Sequence, residues 1–206
     1  MENATTKERI LKEALALFAE KGFEAVSVAC IAKAVGIKAP SLYKHYKSKQ
    51  DILDSVLVKM EQRYKAQVSS MEMNGKEADK DAGLFSMMKE EQLLEMGKNL
   101  FLYFLHDEYV SKFRRMLIIE QFQSKRMSEI YLEQYIDEPL SYQGMMFGLL
   151  TQAGILKTVQ PKIMALQFYG PIYLLLNLCD SQPQREAEAL EMIEQHICQF
   201  NKVYCV

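Results

Sequence analysis

The sequence contains few of the residues from which catalytic and metal sites are built. Among 206 residues there are four cysteines and three histidines, and neither type forms a pair at the spacing of a zinc or redox site. His-Glu-x-x-His, Gly-x-Ser-x-Gly and glycine-rich phosphate loops are also absent. We therefore expect no enzyme, no metal and no cofactor, and we expect the thiols to be buried or incidental.

Signals for export or membrane insertion are lacking as well. The N-terminal stretch MENATTKER is polar, and the longest apolar run, YGPIYLLLNLC, is short for a bilayer span and contains Pro171. Hydrophobic residues make up 49% of the chain, which is enough for a buried core. These features predict a soluble cytoplasmic protein that does not bind membranes.

Residues 26–49 contain no acidic residue, although acids and bases alternate freely around them. This window holds five lysines, whereas Glu24 is the last acid before it and Asp51 is the first after it. Residues 1–60 carry ten Lys/Arg against seven Asp/Glu, and residues 61–206 carry fifteen against twenty. Because phosphate repels carboxylates, this distribution is typical of a protein that offers its N-terminal end to a polyanion.

Apolar residues recur at helical spacing along almost the whole chain, and no alternation typical of a strand persists. Helices are predicted over 6–21 and 28–35, followed by a short third helix and a longer fourth one. A polar stretch with two glycines, 71–83, is expected to be a loop. The later helices are predicted over 84–105, 108–124, 127–153, 161–179 and 185–203. Pro139 should bend or interrupt the segment that contains it, and Pro171 should bend its own. The predicted fold class is all-α.

Two short helices joined at Gly36 match a helix-turn-helix, whose second helix enters the major groove of DNA. Its outward residues can bind phosphate or base edges, or touch a thymine methyl group: Lys38, Ala39, Pro40, Ser41, Lys44 and His45. A solvated lysine face would be the simpler interpretation of the charges alone. The glycine turn, the helical spacing and the acid-free window occur together, which favours DNA binding.

The segments IAKAVGI and SLYKHYKSK, the latter followed closely by DIL, resemble the N-terminal DNA-binding domain of the TetR (tetracycline repressor) family of bacterial regulators. The resemblance covers about residues 6–57. It implies a three-helix helix-turn-helix domain over 1–48 and a larger helical effector-binding and dimerisation domain over 49–206.

The resemblance also implies roles for individual residues. Ser27 falls where members of the family bind phosphate. The residues at positions that hold the DNA backbone are Tyr43, His45 and Lys49, and those at positions that contact bases are Lys38, Ala39, Pro40, Ser41 and Lys44. Ala39 is apolar where many members have a polar reader, so base selection there would rest on a methyl contact or not occur. Tyr46 corresponds to the aromatic residue that anchors the recognition helix.

In the TetR family the second domain dimerises, usually through its last two long helices, which here are near 161–179 and 185–203. The sequence supports a homodimer independently. Segment 161–179 is apolar nearly all round, so it must be covered both by its own core and by another surface.

The family's second domain also binds a small-molecule effector. Eight of the ten phenylalanines lie in 84–206, where they can either fill a core or line an apolar cavity. A bend at Pro171 favours a cavity beside it. The predicted lining residues are Phe101, Phe104, Phe122, Met146, Tyr169 and Tyr173, with Gln121 or Asn177 as polar contacts. Few charges occur in these segments, so we expect a largely apolar effector.

These features predict a ligand-responsive, homodimeric regulator that binds double-stranded operator DNA, most simply a repressor released by its effector. The alternative is a helical small-molecule carrier or enzyme whose N-terminal lysines are only a solvated face. Salt-dependent binding to duplex DNA separates the two hypotheses, because only the regulator should bind specifically.

Overall fold

A computed structural model describes residues 5–70 and 78–206, and these residues form an all-α fold, as predicted. The N-terminal helices are α1 Thr6–Lys21, α2 Val28–Val35, α3 Ala39–Leu42 and α4 Lys49–Ser70. The later helices are α5 Ala78–Phe85, α6 Glu90–His106, α7 Glu108–Glu120, α8 Lys125–Leu132, α9 Glu138–Gln152, α10 Pro161–Ser181 and α11 Glu186–Tyr204. Helix α6 begins six residues later than predicted, and α7 ends four residues earlier.

The first two helices begin and end where local sequence signals place them. Thr5 caps α1 in a capping box, and the Ser27 hydroxyl accepts the Cys30 amide over 3.1 Å at the start of α2. Gly22 ends α1 with φ 80°, and Gly36 ends α2 with φ 77°. Both values lie in the region that favours glycine, which explains why each helix stops there.

The loop predicted over 71–83 is partly wrong. Residues 71–77 lie outside the described residues, but 78–83 form most of α5. Ala78 and Ala82 are buried in a hydrophobic cluster with residues of α9 and α10. Packing thus stabilises a short helix whose own sequence is a poor helix signal, and periodicity within the segment does not reveal such packing.

The segment predicted over 127–153 is interrupted just before Pro139, as expected. Helices α8 and α9 are joined by a π-helical turn, Glu133–Asp137. Proline has no N–H, so the Tyr135 carbonyl four residues earlier loses its α-helical partner. The Tyr169 hydroxyl of α10 donates to that carbonyl over 2.8 Å, and this bond replaces the missing one.

The helices divide into two compact units. The N-terminal unit contains Met1–Gln67 and Glu108–Tyr131, and the second unit contains Val68–Asp107 and Leu132–Val206. Helix α7 therefore packs with the N-terminal helices, although segments of the second unit precede and follow it in the chain. The predicted division after residue 48 concerns the DNA-binding domain alone and stays a prediction.

Fully buried side chains from five helices form the core of the N-terminal unit. They are Ile10 of α1, Ile31 of α2, Leu42 of α3, Ile52 of α4 and Leu117 of α7, each 0% exposed. Complete burial of a side chain of this size contributes roughly 1.5–3 kcal/mol. The core therefore holds the short α3 in place through its neighbours.

Helix α10 is longer than the apolar run on which the membrane argument rested. It has 21 residues and contains an 18-residue window with a mean hydropathy of 1.2, so by length and composition alone it could cross a membrane. The apolar run YGPIYLLLNLC is only the part of this helix from Tyr169 to Cys179. Core helices of soluble proteins have the same composition, and α10 packs here against α6, α9 and α11 within the second unit.

Candidate nucleic-acid interface

The predicted DNA contacts occupy the start of α2 and the segment from Lys38 to Lys49. The exposed members are Ser27, Lys38, Pro40, Tyr43, Lys44 and His45, and the partly buried ones are Ala39, Ser41 and Lys49. Tyr43 is 55% exposed, an unusual position for a large ring in the absence of a partner. The surface offers cations, hydroxyls and an imidazole for hydrogen bonding, with no carboxylate between residues 26 and 49.

The start of α2 carries a small polar cluster. The Ser27 hydroxyl accepts the Cys30 amide and lies 3.2 Å from the Cys30 sulfur. Hydrogen bonds with Ser27 lower the pKa of the exposed Cys30 thiol. Ser27 thus caps α2, and its hydroxyl stays exposed at the predicted phosphate position.

The recognition helix is short as a regular α-helix, but its winding continues beyond α3. The Lys44 amide donates to Ser41 over 3.3 Å, and the His45 amide donates to Leu42 over 2.9 Å. These are bonds of the tighter 3₁₀ type. They keep the predicted readers on successive tight turns.

Tyr46 anchors this segment, as the resemblance implies. Its side chain is 2% exposed, and its hydroxyl donates to the Lys7 carbonyl of α1 over 3.4 Å. The Lys7 ammonium lies 5.4 Å from the centre of the Tyr46 ring. Burial raises the pKa of Tyr46 to about 12, so the phenol is neutral at physiological pH.

Arg9 of α1 holds the C-terminal end of α2. The Arg9 guanidinium of α1 donates to the Val35 carbonyl in the last turn of α2. A cation at this end of a helix is stabilised both by the hydrogen bond and by the helix dipole. Sequence reasoning missed this contact, because it joins residues on different helices.

Lys49 makes contacts inside the N-terminal unit. Its ammonium donates to the Phe23 carbonyl over 2.8 Å and lies 3.4 Å from the Glu24 carbonyl. The same nitrogen is 4.1 Å from the centre of the Phe23 ring. Two of the three N–H donors of this ammonium face these carbonyls. The third donor remains for the phosphate contact that the resemblance implies, and that contact stays a prediction.

Glu120 is a further residue at this site that no sequence pattern indicated. It is the last residue of α7, is 7% exposed, and its Oε1 accepts the Phe23 amide over 2.7 Å. A Cβ atom added at Gly22 would lie 3.0 Å from the same oxygen. The connection between α1 and α2 therefore packs directly against a buried carboxylate.

The predicted effector residues fall into different clusters. In the second unit, Phe101, Phe104 and Tyr173 belong to one hydrophobic cluster, whereas Met146 belongs to another. Phe101 is 1% exposed and Met146 is 4% exposed, so both are core residues in this structure. These four side chains therefore pack in two hydrophobic clusters, and the cavity that they were expected to line stays a prediction.

The remaining predicted effector residues either make other contacts in the second unit or lie in the N-terminal unit. The rings of Tyr169 and Tyr173 stack with centroids 5.8 Å apart, and Asn177 donates to the Tyr173 carbonyl over 2.8 Å. Gln121 and Phe122 belong to the N-terminal unit. Phe122 is 84% exposed, so it does not line a closed cavity here. As an effector site, the set stays a prediction.

Comparison with known proteins relates the N-terminal part of the chain to a family of regulators. Residues 10–56 match the family described as bacterial regulatory proteins, tetR family. The N-terminal part of the chain is therefore similar to the DNA-binding region of this family. Over 46 residues it is 44% identical to IcaR of Staphylococcus epidermidis, the HTH-type negative transcriptional regulator of the biofilm operon icaADBC. That match spans 22% of this chain and only 25% of IcaR, so the chain spans about a quarter of the length of the curated relatives it matches.

Solved TetR-family structures resemble the whole chain in fold. A structure assigned to this family from Mesorhizobium loti superposes with a TM-score of 0.66 at 22% identity, covering 98% of this chain and 97% of that one. SmeT in complex with triclosan superposes with a TM-score of 0.65 at 16% identity, covering 98% and 92%. SmeT is the repressor of the Stenotrophomonas maltophilia multidrug efflux pump SmeDEF. At these identities the likeness shows a shared fold.

The TetR-family match covers the two predicted sites unequally. Residues 10–56 contain all the predicted DNA contacts, from Ser27 to Lys49, and none of the predicted effector contacts, which begin at Phe101. The proteins matched by family and sequence are transcription regulators and not enzymes. The family therefore supports a regulatory role, whereas the effector site depends on the fold of the second unit alone.

Proposed function

We propose that this chain is a TetR-family transcription regulator that acts in the cytoplasm as a homodimer. It binds a double-stranded DNA operator as a repressor and is released by a small, largely apolar effector. The observation that carries the proposal is the exposed, acid-free surface of residues 26–49, which lies on a well-packed unit and within the family match.

DNA binding follows from how this surface is presented. Leu42 and Tyr46 are buried, so the segment between them is held at both ends while its polar side chains face solvent. Lys44 and His45 are exposed there and can donate to phosphate or to base acceptors. Ser41 and Ala39 are half-buried residues of α3 with short side chains. They can contact a base only where the backbone of α3 comes close to the DNA.

Two matched proteins favour repression over activation. IcaR is a negative regulator, and its similarity to this chain lies in the DNA-binding region. SmeT is a repressor and shares the fold along nearly the whole chain. A repressor needs only to occupy its operator, so no additional surface for recruiting polymerase is required.

An exposed apolar face on the last two long helices supports the homodimer. On α10, Ile163, Leu166 and Leu174 are 46%, 52% and 68% exposed, and their spacing places them on one side of the helix. On α11, Met192 and Val203 are 46% and 42% exposed. Contiguous exposed apolar side chains mark an interaction surface, and a two-fold partner of the same sequence covers such a surface most simply.

The effector proposal has the least direct support. The second unit is rich in aromatic side chains around α6 and α10, including Phe101, Phe104 and Tyr173. SmeT, which has the same fold, forms a complex with triclosan. A cavity for an apolar molecule would require these rings to separate, because they pack together in this structure.

Selection of bound fragments from genomic DNA tests the proposal. The regulator should enrich a discrete site and bind it about 10³-fold or more tighter than random duplex at physiological salt. Compounds of differing polarity are then tested for release of that site. A carrier or enzyme would enrich no sequence, and that result would favour the alternative.

Lys44 and Lys125 provide a matched pair for this experiment. Both lie in the N-terminal unit, but Lys125 is on α8, is 91% exposed and is not part of residues 26–49. Lys44→Ala should weaken binding and reduce the slope of log affinity against log salt by about 0.9, the value for one lost phosphate contact. Lys125→Ala removes the same charge and should leave the slope unchanged.

A further inference from the structure

Phe23, in the connection between α1 and α2, is held by two charged side chains from different helices. Its amide donates to Oε1 of Glu120 on α7 over 2.7 Å, and its carbonyl accepts the ammonium of Lys49 on α4 over 2.8 Å. The Lys49 ammonium also lies 4.1 Å from the centre of the Phe23 ring. Both backbone polar groups of one connecting residue are therefore fixed from outside the helix-turn-helix. We call these contacts the Phe23 clamp.

The carboxylate in this clamp is closely enclosed. Glu120 is 7% exposed, and a Cβ added at Gly22 would lie 3.0 Å from Oε1, closer than ordinary van der Waals contact. A hydrogen bond to a charged acceptor is roughly twice as strong as one between neutral groups. Loss of the carboxylate would leave the Phe23 amide without this partner at a site that water reaches poorly.

The clamp lies immediately before the predicted DNA contacts. The Val26 amide donates to the Phe23 carbonyl over 3.3 Å, and the next residue, Ser27, caps α2. Only three residues separate Phe23 from Ser27. The position in which Glu120 and Lys49 hold Phe23 therefore also sets the position of the start of α2.

The chain's connectivity ties the clamp to the second unit. Glu120 ends α7, which enters the N-terminal unit at Glu108, directly after a segment of the second unit that ends at Asp107. The chain returns to the second unit at Leu132. The segment Glu108–Tyr131, which contains α7, is thus joined covalently to the second unit at both of its ends.

We propose that Glu120 and Lys49 are positioning residues for DNA binding, which set the orientation of the helix-turn-helix through the Phe23 clamp. This inference rests on the proposed DNA-binding function. Neither residue needs to touch DNA for this role. The part of Glu120, a buried acid, in this inference is to hold the Phe23 amide.

Electrostatics and positioning predict opposite effects for the loss of Glu120. Removing a negative charge near a DNA-binding surface should by itself strengthen binding, because the remaining charge is more positive. Loss of the clamp should weaken it, because the start of α2 is no longer fixed. Glu129→Ala is the matched control, since Glu129 lies on α8 in the same unit, is 65% exposed and pairs only loosely with Lys125 at 3.6 Å.

The test measures binding of the full-length protein to the DNA fragments selected by the wild type, over a series of salt concentrations. Glu120→Ala should bind about tenfold more weakly than the wild type, a range set by the cost of an unsatisfied buried amide. Its salt slope should not change, because no phosphate contact is lost. Glu120→Gln keeps an oxygen acceptor and should bind within about threefold of the wild type. Glu129→Ala should bind at least as tightly.

Hydrogen exchange on the free protein provides a second readout. Exchange of the Phe23 amide should accelerate in Glu120→Ala and stay slow in Glu120→Gln, while the amides in the middle of α7 keep their protection. If Glu120→Ala does not fold, Lys49→Met tests the other half of the clamp with the apolar stem retained. It should weaken binding without lowering the salt slope.

The results that overturn the inference differ from those that overturn the proposed function. A wild type that binds DNA, together with a folded Glu120→Ala that binds equally well or better, would refute positioning and leave the function standing. A fall of about 0.9 in the salt slope of Lys49→Met would show that Lys49 contacts phosphate instead. A wild type that binds no duplex refutes the proposed function, and the inference falls with it.

Discussion

Replacing Gly22 by alanine perturbs two things at once, and the structure allows them to be separated. The Gly22 backbone has φ 80° and ψ 160°, a conformation found almost only in glycine. An alanine Cβ would also lie 3.0 Å from Glu120 Oε1 and 3.3 Å from the Cγ2 of Ile119. The substitution therefore strains the backbone and displaces the carboxylate of the Phe23 clamp.

Gly36→Ala is the control, because it has the first effect without the second. Gly36 has φ 77° and ψ 31°, and an added Cβ would meet no atom within 4 Å. Alanine in this left-handed region costs about 1–2 kcal/mol. At Gly22 the backbone term is about 1–3 kcal/mol, and loss of the Glu120 bond adds about 1–3 kcal/mol. We therefore expect Gly22→Ala to be more destabilising than Gly36→Ala by roughly 1–3 kcal/mol.

Urea unfolding followed by circular dichroism measures this difference. Because the chain has two compact units, hydrogen exchange of peptides from α1 and α7 should accompany it, so that the loss of stability is assigned to the N-terminal unit. Glu120→Ala in the same background supplies a double-mutant cycle, which should be non-additive because Gly22 and Glu120 are in contact. Equal destabilisation by the two glycine substitutions, or strict additivity in the cycle, would refute the reasoning.

Two further predictions concern assembly and pH. Leu174→Glu should produce a folded monomer, because Leu174 is 68% exposed, whereas Leu175→Glu should unfold the second unit, because Leu175 is 4% exposed. Light scattering measures the oligomeric state and circular dichroism measures folding. A Leu174→Glu protein that remains a dimer would contradict the proposed interface. The pKa of Tyr46 is raised to about 12, so its contribution to stability is complete below the unfolded value near 10 and lost between pH 10 and 12. Over that pH range the free energy of unfolding of Tyr46→Phe should fall less steeply than that of the wild type, by up to about 1.4 kcal/mol per pH unit. Urea titrations at each pH measure this, and parallel plots of unfolding free energy against pH would rule it out.

The parts of the structure that were predictable from sequence depend on interactions between near neighbours. Ser27 caps α2 through an amide three residues away, and Gly36 ends the same helix through its own backbone angles. Pro139 interrupts a helix because it lacks an N–H. The acid-free window is visible directly, because its five lysines lie within 24 consecutive residues, 26–49.

Other features were not predictable because they depend on packing between distant segments. Helix α5 forms where a loop was expected, since Ala78 and Ala82 find a partner surface on α9 and α10. Phe122 was grouped with Phe101 by residue type, yet it is exposed in the N-terminal unit while Phe101 is buried in the second. Residue type shows that a side chain is apolar, but it does not show which surface covers it.

The sequence by itself was enough for the helical class, for the ends of α1 and α2 and for the resemblance to the TetR family over the N-terminal residues, because each depends on residues close together in the chain. Only the tertiary structure decided what Lys49 and Glu120 contact. The bond between Glu120 and Phe23 joins residues 97 positions apart, and no periodicity or motif links two such positions. Nearly every residue has a backbone N–H that could donate to this carboxylate. Which residue does so depends on how α7 packs against α1.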